Sequence, residues 1–576
     1  MNQSQRILGI SAFYHDSAAA LIEGETIRAA AQEERFTRIK HDPQFPLQSL
    51  LYCLNEGKIQ LEDLDALVYY EKPFWAFERL LENYYHFAPR GFSSFITGMP
   101  DFLHRKLFVR TTIRKALKKH FGKKVQIPQI LFSEHHLSHA ASAFYPSPFD
   151  EAAVLCCDGV GEWATVSAWQ AAGRKLVPLW EIEYPHSLGL LYSAFTTYLG
   201  FKVNSAEYKV MGLAPYGRPI YVDLIKEHLI DIKEDGSFHL NMDYFNYCTG
   251  LRMTSSRFHN LFGGPPRAQE SKLGQREMDL ARSVQEVTEE VMLRLARTLH
   301  QQTGQKNLCL AGGVALNCVA NGRILREGPF EQVWIQPASG DAGGALGSAL
   351  AALHDYFGVE RLARNRETMR GAYLGPVYQE SQIQDELRDK GIRFQSFSET
   401  DFVAQVAQVL ASGKVVGWFQ GAMEYGPRAL GARSILADPR GSDMQSRLNL
   451  KIKFRESFRP FAPAVLEEDL GEYFEMKGVS PYMLLTAPVR QERRRKPRPN
   501  EEALEGIDLL KVPRSDIPAV THVDYSARVQ TVNPNQNPKF YSLLKKFKEL
   551  TGTSVLVNTS MNVRGEPIVC TPWEAV

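Results

Sequence analysis

Nowhere in this chain are two cysteines spaced Cys-x-x-Cys; the seven present, at 53, 156, 157, 248, 309, 318 and 570, are scattered. That argues against a zinc ribbon, a dithiol redox motif and a disulfide framework, and it fits a reducing cytoplasm, the compartment expected here. Extended apolar stretches are missing too. The opening MNQSQRILGIS has no apolar h-region, and no uncharged run reaches the length of a bilayer span, so neither a signal peptide nor a membrane partner is expected. Neither sign of charge dominates: 67 Lys and Arg against 65 Asp and Glu leave a net +2, too weak a field to recruit nucleic acid. What is there is globular in character, 44% hydrophobic and 23% charged over 576 residues. Such a chain can bury a sizeable core, and at roughly 150 residues per domain it predicts two to four domains. The closing GEPIVCTPWEAV reads as a helix start at Thr571-Pro572 without a stop signal, so the natural chain is expected to run a little further.

The first half repeats a plan. RILGISAFYHDSAAALIEGETIRAAAQEE predicts a strand, a polar turn holding Asp16, a second strand, a turn at Gly24 and a third strand. About 140 residues later, AAVLCCDGVGEWATVSAWQAAGRKLVPLWEI repeats it around Asp158 and Gly173, which predicts a duplicated fold. An aspartate in such a turn is ordinarily a turn former, but small residues around it let a backbone approach a ligand closely. Two further corners extend the theme. LCLAGGVALNCVANGRIL gives a buried strand, a Gly-Gly turn and a helix start; VWIQPASGDAGGALGSALAAL gives a strand, Gly340-Asp341 and a helix of small residues. A strand feeding glycines into a helix N-terminus suits a nucleotide.

In SEHHLSHAASAFYPSPF, His135 and His139 stand four apart, so on a helix they share a face and His136 points elsewhere. Two imidazoles so placed, with a carboxylate from elsewhere, are first ligands for a transition metal. Asp341 is the first candidate for that carboxylate and Asp158 the second. An isolated pair of this kind is more often structural, so the assignment rests on the rest of the chain.

That rest resembles the O-carbamoyltransferases of the NodU, CmcH and TobZ kind. The stretches that carry the resemblance include ILGISAFYHDSAAALIEG, EHHLSHAASAFYPSPF, AAVLCCDGVGEWATVS, LAGGVALNCVANG, PASGDAGGALGSAL, GWFQGAMEYGPRALGARSILADPR, KFRESFRPFAPAV and SVLVNTSMNVRGEPIVCTP, in family order over nearly the whole chain. The resemblance implies an α/β protein. Residues 1–375 are expected to form an actin-like (ASKHA, duplicated RNase H-like) domain for carbamoyl transfer, and 376–576 a YrdC-like domain that makes carbamoyl adenylate. It implies a metal, most often iron (Fe2+, with Mg2+, Mn2+ or Zn2+ as other candidates), held by His135, His139 and Asp341. An adenine nucleotide is implied near Asp158, Gly159, Gly312, Gly313 and Asn317.

In the second domain, EYGPRALGARSILADPRG supplies Arg428, Arg433 and Arg440; LKIKFRESFRP supplies Lys451, Lys453, Arg455 and Arg459; VNTSMNVRGEP adds Asn558, Ser560, Asn562 and Arg564. Cations set in Pro and Gly turns and interleaved with Phe454, Phe458 and Phe461 suit phosphates better than a solvated basic face. By contrast RQERRRKPRPNEE (490–502) reads as a mobile basic loop. The expected cosubstrates are ATP and carbamoyl phosphate, with Arg428, Lys453 and Arg459 stabilising phosphate charge and His15 or Asp16 taking the proton of a small hydroxylated acceptor. The acceptor pocket is expected in 70–124 and 221–262, and a homodimer is the assembly considered. The alternatives are a hydrogenase-maturation-type carbamoyltransferase, an actin-like sugar kinase or ATPase, and a nucleotide-binding regulator.

Overall fold

A computed structural model describes residues 4–362, 366–499, 501 and 503–576. The chain divides into two compact units, Met1–Thr37 with His41–Thr368 and Arg38–Lys40 with Met369–Val576.

In the first unit, β1 (Arg6–Ser11), β2 (Ala18–Glu23) and β3 (Thr26–Gln32) are the strands predicted around Asp16 and Gly24. They join β4 (Ala66–Tyr69) and β5 (Gln129–Phe132) in a five-stranded sheet of order β3-β2-β1-β4-β5. The first three strands pair antiparallel and the last two add on in parallel. The second repeat yields β6 (Glu151–Cys157), β7 (Ala164–Ala172) and β8 (Lys175–Glu183). With β9 (Asn307–Ala311) and β10 (Gln332–Ile335) they make a second sheet of order β10-β9-β6-β7-β8, with the same pattern of antiparallel and parallel pairs. Two sheets of identical order and sense within one unit are the duplicated RNase H-like, actin-like architecture. The near-continuous apolar runs of β1, β2 and β6 follow from burial on both faces.

After β5 comes α1 (His135–Phe144), and after β10 comes α2 (Asp341–Ala351), equivalent positions in the two halves. Both are almost wholly buried and made largely of Ala, Gly and Ser. That composition allows a very close approach: a Cβ on Gly347 would stand 1.7 Å from the Ser138 carbonyl oxygen. Asp341, expected in a glycine turn, is the first residue of α2, where the helix dipole favours its charge.

The second unit is built on a mixed sheet of β11 (Val416–Phe419), β12 (Arg433–Ala437), β13 (Ala462–Leu466), β14 (Gln530–Val532) and β15 (Val555–Ser560). Its order is β11-β12-β15-β13-β14. Alternation sorts its side chains. Leu436, Leu466 and Leu556 pack under the helices Glu399–Ala411 and Pro538–Thr551, while Ile435, Val465, Val555 and Val557 fill the opposite core. The 490–502 stretch is less free than expected. Arg493 pairs with Asp516 at 2.6 Å and lies 3.7 Å over the Tyr473 ring, and Arg495 pairs with Glu501 at 2.8 Å; Asn500 and Glu502 lie outside the described residues. Thr571 caps the closing helix Pro572–Ala575 as its sequence suggests.

Replacing Gly347 by alanine should destabilise the protein by about 3 kcal/mol or more, because the atom it meets is backbone and neither helix can yield. Urea unfolding of the first unit's transition checks this.

Candidate metal centre and phosphate-type site

The feature that organises the first unit's site is a cluster of four buried groups: His135, His139, Asp158 and Asp341, whose candidate ligand atoms all lie within 4.8 Å of one another. The two histidines come from the first turns of α1, Asp341 from the start of α2, and Asp158 from the β6–β7 turn. The Nε2 atoms of His135 and His139 face each other at 3.0 Å. Oδ2 of Asp158 lies 3.2 Å from Nε2 of His135 and 3.8 Å from that of His139, and Oδ1 of Asp341 lies 3.8 and 3.9 Å from them. His136 points away and bonds the Ser167 hydroxyl at 2.7 Å. The sequence ranked Asp341 and Asp158 as competing candidates; the fold brings both to the histidine pair.

Electrostatics explain why these groups tolerate burial together. Two carboxylates within 4.8 Å repel by about 3–4 kcal/mol at an effective dielectric constant near 20, so positive charge must offset them. Burial alone would lower the pKa of His135, but the hydrogen bond to Asp158 and the charge of Asp341 outweigh it and raise the pKa to about 9. Burial pushes Asp158 up, yet His135 and His139 hold it well below the usual carboxylate range. A divalent cation between two neutral imidazoles and two carboxylates gives the same charge balance, and the donor set of two nitrogens and two oxygens fits one. The Nδ1 atoms of both histidines are buried without a protein partner, so the rings are aimed by helix packing. Two supports went unread in the sequence. Tyr70 donates to Oδ2 of Asp341 at 3.3 Å, and Glu162 accepts from the backbone N–H of His135 at 3.0 Å and of Lys72 at 2.7 Å, capping α1. Glu162 lies in DGVGEW (158–163), where no spacing marks it.

Beside the cluster, His15 lies 3.1 Å from Asp16 and 3.8 Å from Oδ2 of Asp341. Burial lowers its pKa, but Asp341 and Asp16 overcome this and raise it to about 9. Burial raises Asp16, and its bonds to His15 and His41 then hold it far below the normal range. Both are therefore poor proton acceptors at neutral pH; a cation beside Asp341 would release His15 toward the range where it accepts a proton.

The nucleotide-type corner is assembled as a continuous backbone cradle. Gly313 donates its N–H to Oδ1 of Asp158 at 2.8 Å, and the Ser187 hydroxyl donates to the Gly159 carbonyl at 2.6 Å while capping Leu188–Tyr198. Gly312 sits at φ +87°, where an added Cβ would meet the Cys157 carbonyl at 2.3 Å. Asn317, expected at the nucleotide, is turned inward: it caps Cys318–Glu327 and exchanges two amide hydrogen bonds with Gln285. Its role here is to hold the corner's shape.

In the second unit, the structure gathers Lys453, Arg455, Arg459, Ser560 and Arg564, and it adds Lys40, which the sequence did not single out. Lys453 is buried, with Nζ bonded to the carbonyls of Ser560 and Asn562 (2.6 Å each) and to Oδ1 of Asn562 (2.7 Å). Those oxygens favour its charged form, while burial, Arg455, Arg459 and Lys40 pull its pKa well down. Arg455 bonds Asn449 and lies 4.6 Å over Phe461; Glu456 sits 3.7 Å from Arg459 and 3.9 Å from Arg564. Two expected ligand residues face inward instead. Arg433 is fully buried, lies 3.6 Å over Phe419 and donates to the carbonyls of Gln420, Gly421, Ala432 and Pro376. Asn558 donates to Ala429 and Gln530. Both hold in place the loop that carries half-buried Arg428, with Glu424 accepting from the N–H groups of Leu430 and Ala432.

A duplicated actin-like frame with a buried metal-type centre, followed by an α/β unit with a clustered basic site, defines a two-part α/β protein. The carbamoyltransferase N-terminus family matches residues 6–350, and the carbamoyltransferase C-terminus family matches 407–576. The chain belongs to the carbamoyltransferase family and is a transferase enzyme. It is similar to the uncharacterized protein sll1178 of Synechocystis sp. at 60% identity, over 99% of this chain and 93% of that one. It is 37% identical to the nodulation protein NolNO of Sinorhizobium fredii, over 98% of this chain and 76% of the other. With the 3'-hydroxymethylcephem-O-carbamoyltransferase of Amycolatopsis lactamdurans it shares 30% identity, over 78% and 77%. Among the described residues no helix is long and apolar enough to cross a membrane.

Titration of metal-stripped protein with Fe2+ or Mn2+, followed by calorimetry and elemental analysis, should give one ion per chain. Affinity should fall at least about 100-fold in His139→Ala and Asp341→Asn, and about 10-fold in Tyr70→Phe, which loses only the support of a ligand.

Proposed function

We propose that the protein is an ATP-dependent O-carbamoyltransferase that makes carbamoyl adenylate and passes the carbamoyl group to a hydroxyl of a small-molecule acceptor. The observation that carries this reading is the presence, in one chain that matches the carbamoyltransferase family at both ends, of the His135–His139–Asp158–Asp341 cluster and a separate Lys453-centred basic site. The match to a cephem O-carbamoyltransferase supports oxygen as the acceptor atom.

The second unit, from about residue 376, is the YrdC-like, adenylate-forming part. There water splits carbamoyl phosphate into carbamate and phosphate, the carbamate oxygen attacks the α-phosphorus of ATP, and pyrophosphate leaves. Arg428, Lys453, Arg455, Arg459 and Arg564 balance the charge on the phosphates, with Ser560 as a neutral donor. The first unit, to about 375, is the transfer part. The acceptor oxygen bonds to the carbamoyl carbon as the bond to the AMP oxygen breaks, and His15 receives the hydroxyl proton, while Asp16, held too far below the range of a base, orients its ring. Asp158, Gly159, Gly312 and Gly313 line the nucleotide, and Asn317, behind them, keeps the corner rigid. A bound divalent ion, Fe2+ by the family resemblance and by the mixed nitrogen and oxygen donors, would supply Lewis-acid polarisation held by His135, His139 and Asp341, with Asp158 at the same centre. The unstable mixed anhydride is kept from water between the two steps.

The division of labour is tested with separate assays. His139→Ala should abolish carbamoyl transfer, read by mass spectrometry as the gain of one carbamoyl group on a hydroxylated metabolite, while ATP–pyrophosphate exchange with carbamoyl phosphate persists within about threefold. Arg428→Ala should lose exchange by about 100-fold or more, the loss typical of one preorganised charge partner, yet still transfer from supplied carbamoyl adenylate. ADP instead of AMP as the nucleotide product would favour an actin-like kinase and end the proposal.

A further inference from the structure

Arg79 projects from the helix Pro73–Phe87, and among the described residues it makes no hydrogen bond or ion pair. Its guanidinium lies 5.1 Å over the Tyr184 ring, and its Nε is buried without a partner. Other arginines sunk into the first unit keep ion-pair or carbonyl partners. Arg35 pairs with Glu34 at 2.9 Å and Gln32 at 3.0 Å, and Arg361 donates to the carbonyls of Phe144, Tyr145, Ser147 and Phe149. Burial pulls the pKa of Arg79 down, and the groups that oppose this are Tyr184, Tyr14, Glu71 and Glu162. Both carboxylates already have other donors. Glu71 accepts from Tyr69 at 3.1 Å, and Glu162 accepts from the N–H groups of Lys72 and His135. The charge of Arg79 is thus left for something that arrives.

Where it would arrive follows from the neighbours. Tyr14, half exposed and 4.6 Å from the His15 ring, feels Asp341, Asp158 and Arg79 together. Glu162 bonds both Lys72, the N-cap of the helix that carries Arg79, and the start of α1, so that helix begins beside the metal-type cluster. Its helix is also fixed from outside, where Asn83 donates to the Cys248 carbonyl at 2.6 Å; in the next helix Ser94 donates to the Thr249 carbonyl at 2.9 Å, and Tyr184, under the guanidinium, bonds the Cys248 sulfur at 3.2 Å. The segments 70–124 and 221–262 are thus tied together, and the tie holds Arg79 in place. A planar fork on a fixed stem, stacked on a ring, is matched to carboxylate or phosphate oxygens.

We infer that Arg79 is an oxyanion-binding residue of the transfer cleft, receiving a carboxylate or phosphate oxygen pair of a bound substrate. The oxyanion has two sources: the phosphate of the AMP moiety, or an acidic group on the acceptor, which would make that acceptor an anionic hydroxyl compound. Only this choice rests on the carbamoyl-transfer reading; the existence of the anion site does not.

The test uses the full wild-type chain and needs no turnover. Phenylglyoxal modification of Arg79 is followed by peptide mass spectrometry in the presence of AMP, glycerol 3-phosphate, glycolate or neutral glycerol. Protection of at least fivefold by AMP alone assigns the site to the nucleotide. The same protection by glycerol 3-phosphate or glycolate without AMP assigns it to an acidic acceptor. Equal modification with every anion and with glycerol overturns the inference. In parallel, Arg79→Met should weaken binding of the protecting anion at least tenfold by calorimetry, and Arg79→Lys by less. Unchanged affinity in Arg79→Met would also overturn it. Because anion binding is read apart from catalysis, a failed transfer assay and a failed anion site remain distinguishable.

Discussion

The close approach of His135–Phe144 to Asp341–Ala351 is the constraint on which the first unit depends. Small residues on both helices let their backbones meet, with Gly347 against the Ser138 carbonyl. At any wider spacing the His135 and His139 rings could not stand within 4 Å of Asp341. The packing and the chemistry are therefore one feature. The same apposition that closes the core sets the geometry of the cluster, and the cluster's four ionisable groups are buried only because their charges offset one another.

The duplication was legible because it is written in local signals: runs of apolar residues, Asp16 and Asp158 in equivalent turns, and Gly24 and Gly173 at equivalent hairpins. Both sheets follow from it. The histidine pair was legible through its spacing of four. The convergence of Asp158 and Asp341 on that pair was not, because it depends on two strand–helix junctions meeting across the unit, which no spacing encodes. Tyr70 and Glu162 escaped for the same reason: each acts through a contact distant in sequence, on Asp341 and on the start of the first-half helix.

In the second unit, composition was a good guide to where cations cluster and a poor guide to which of them face a ligand. Arg433 and Asn558 lie in the expected stretches, yet β-strand alternation turns both inward, where they satisfy backbone carbonyls around the loop bearing Arg428. Lys453 keeps an inward Nζ as well, but its neighbours are other cations, so its surroundings remain short of negative charge. A carboxylate already in place, Glu456, moderates Arg459 and Arg564.

The placement of the four centre-forming side chains has a mechanical meaning. His135 and His139 belong to the first repeat, whereas Asp158 and Asp341 belong to the second. An ion held there would work as a rivet through the seam between the two repeats. Such an ion would add to the stability of that seam in proportion to the logarithm of its free concentration over its dissociation constant.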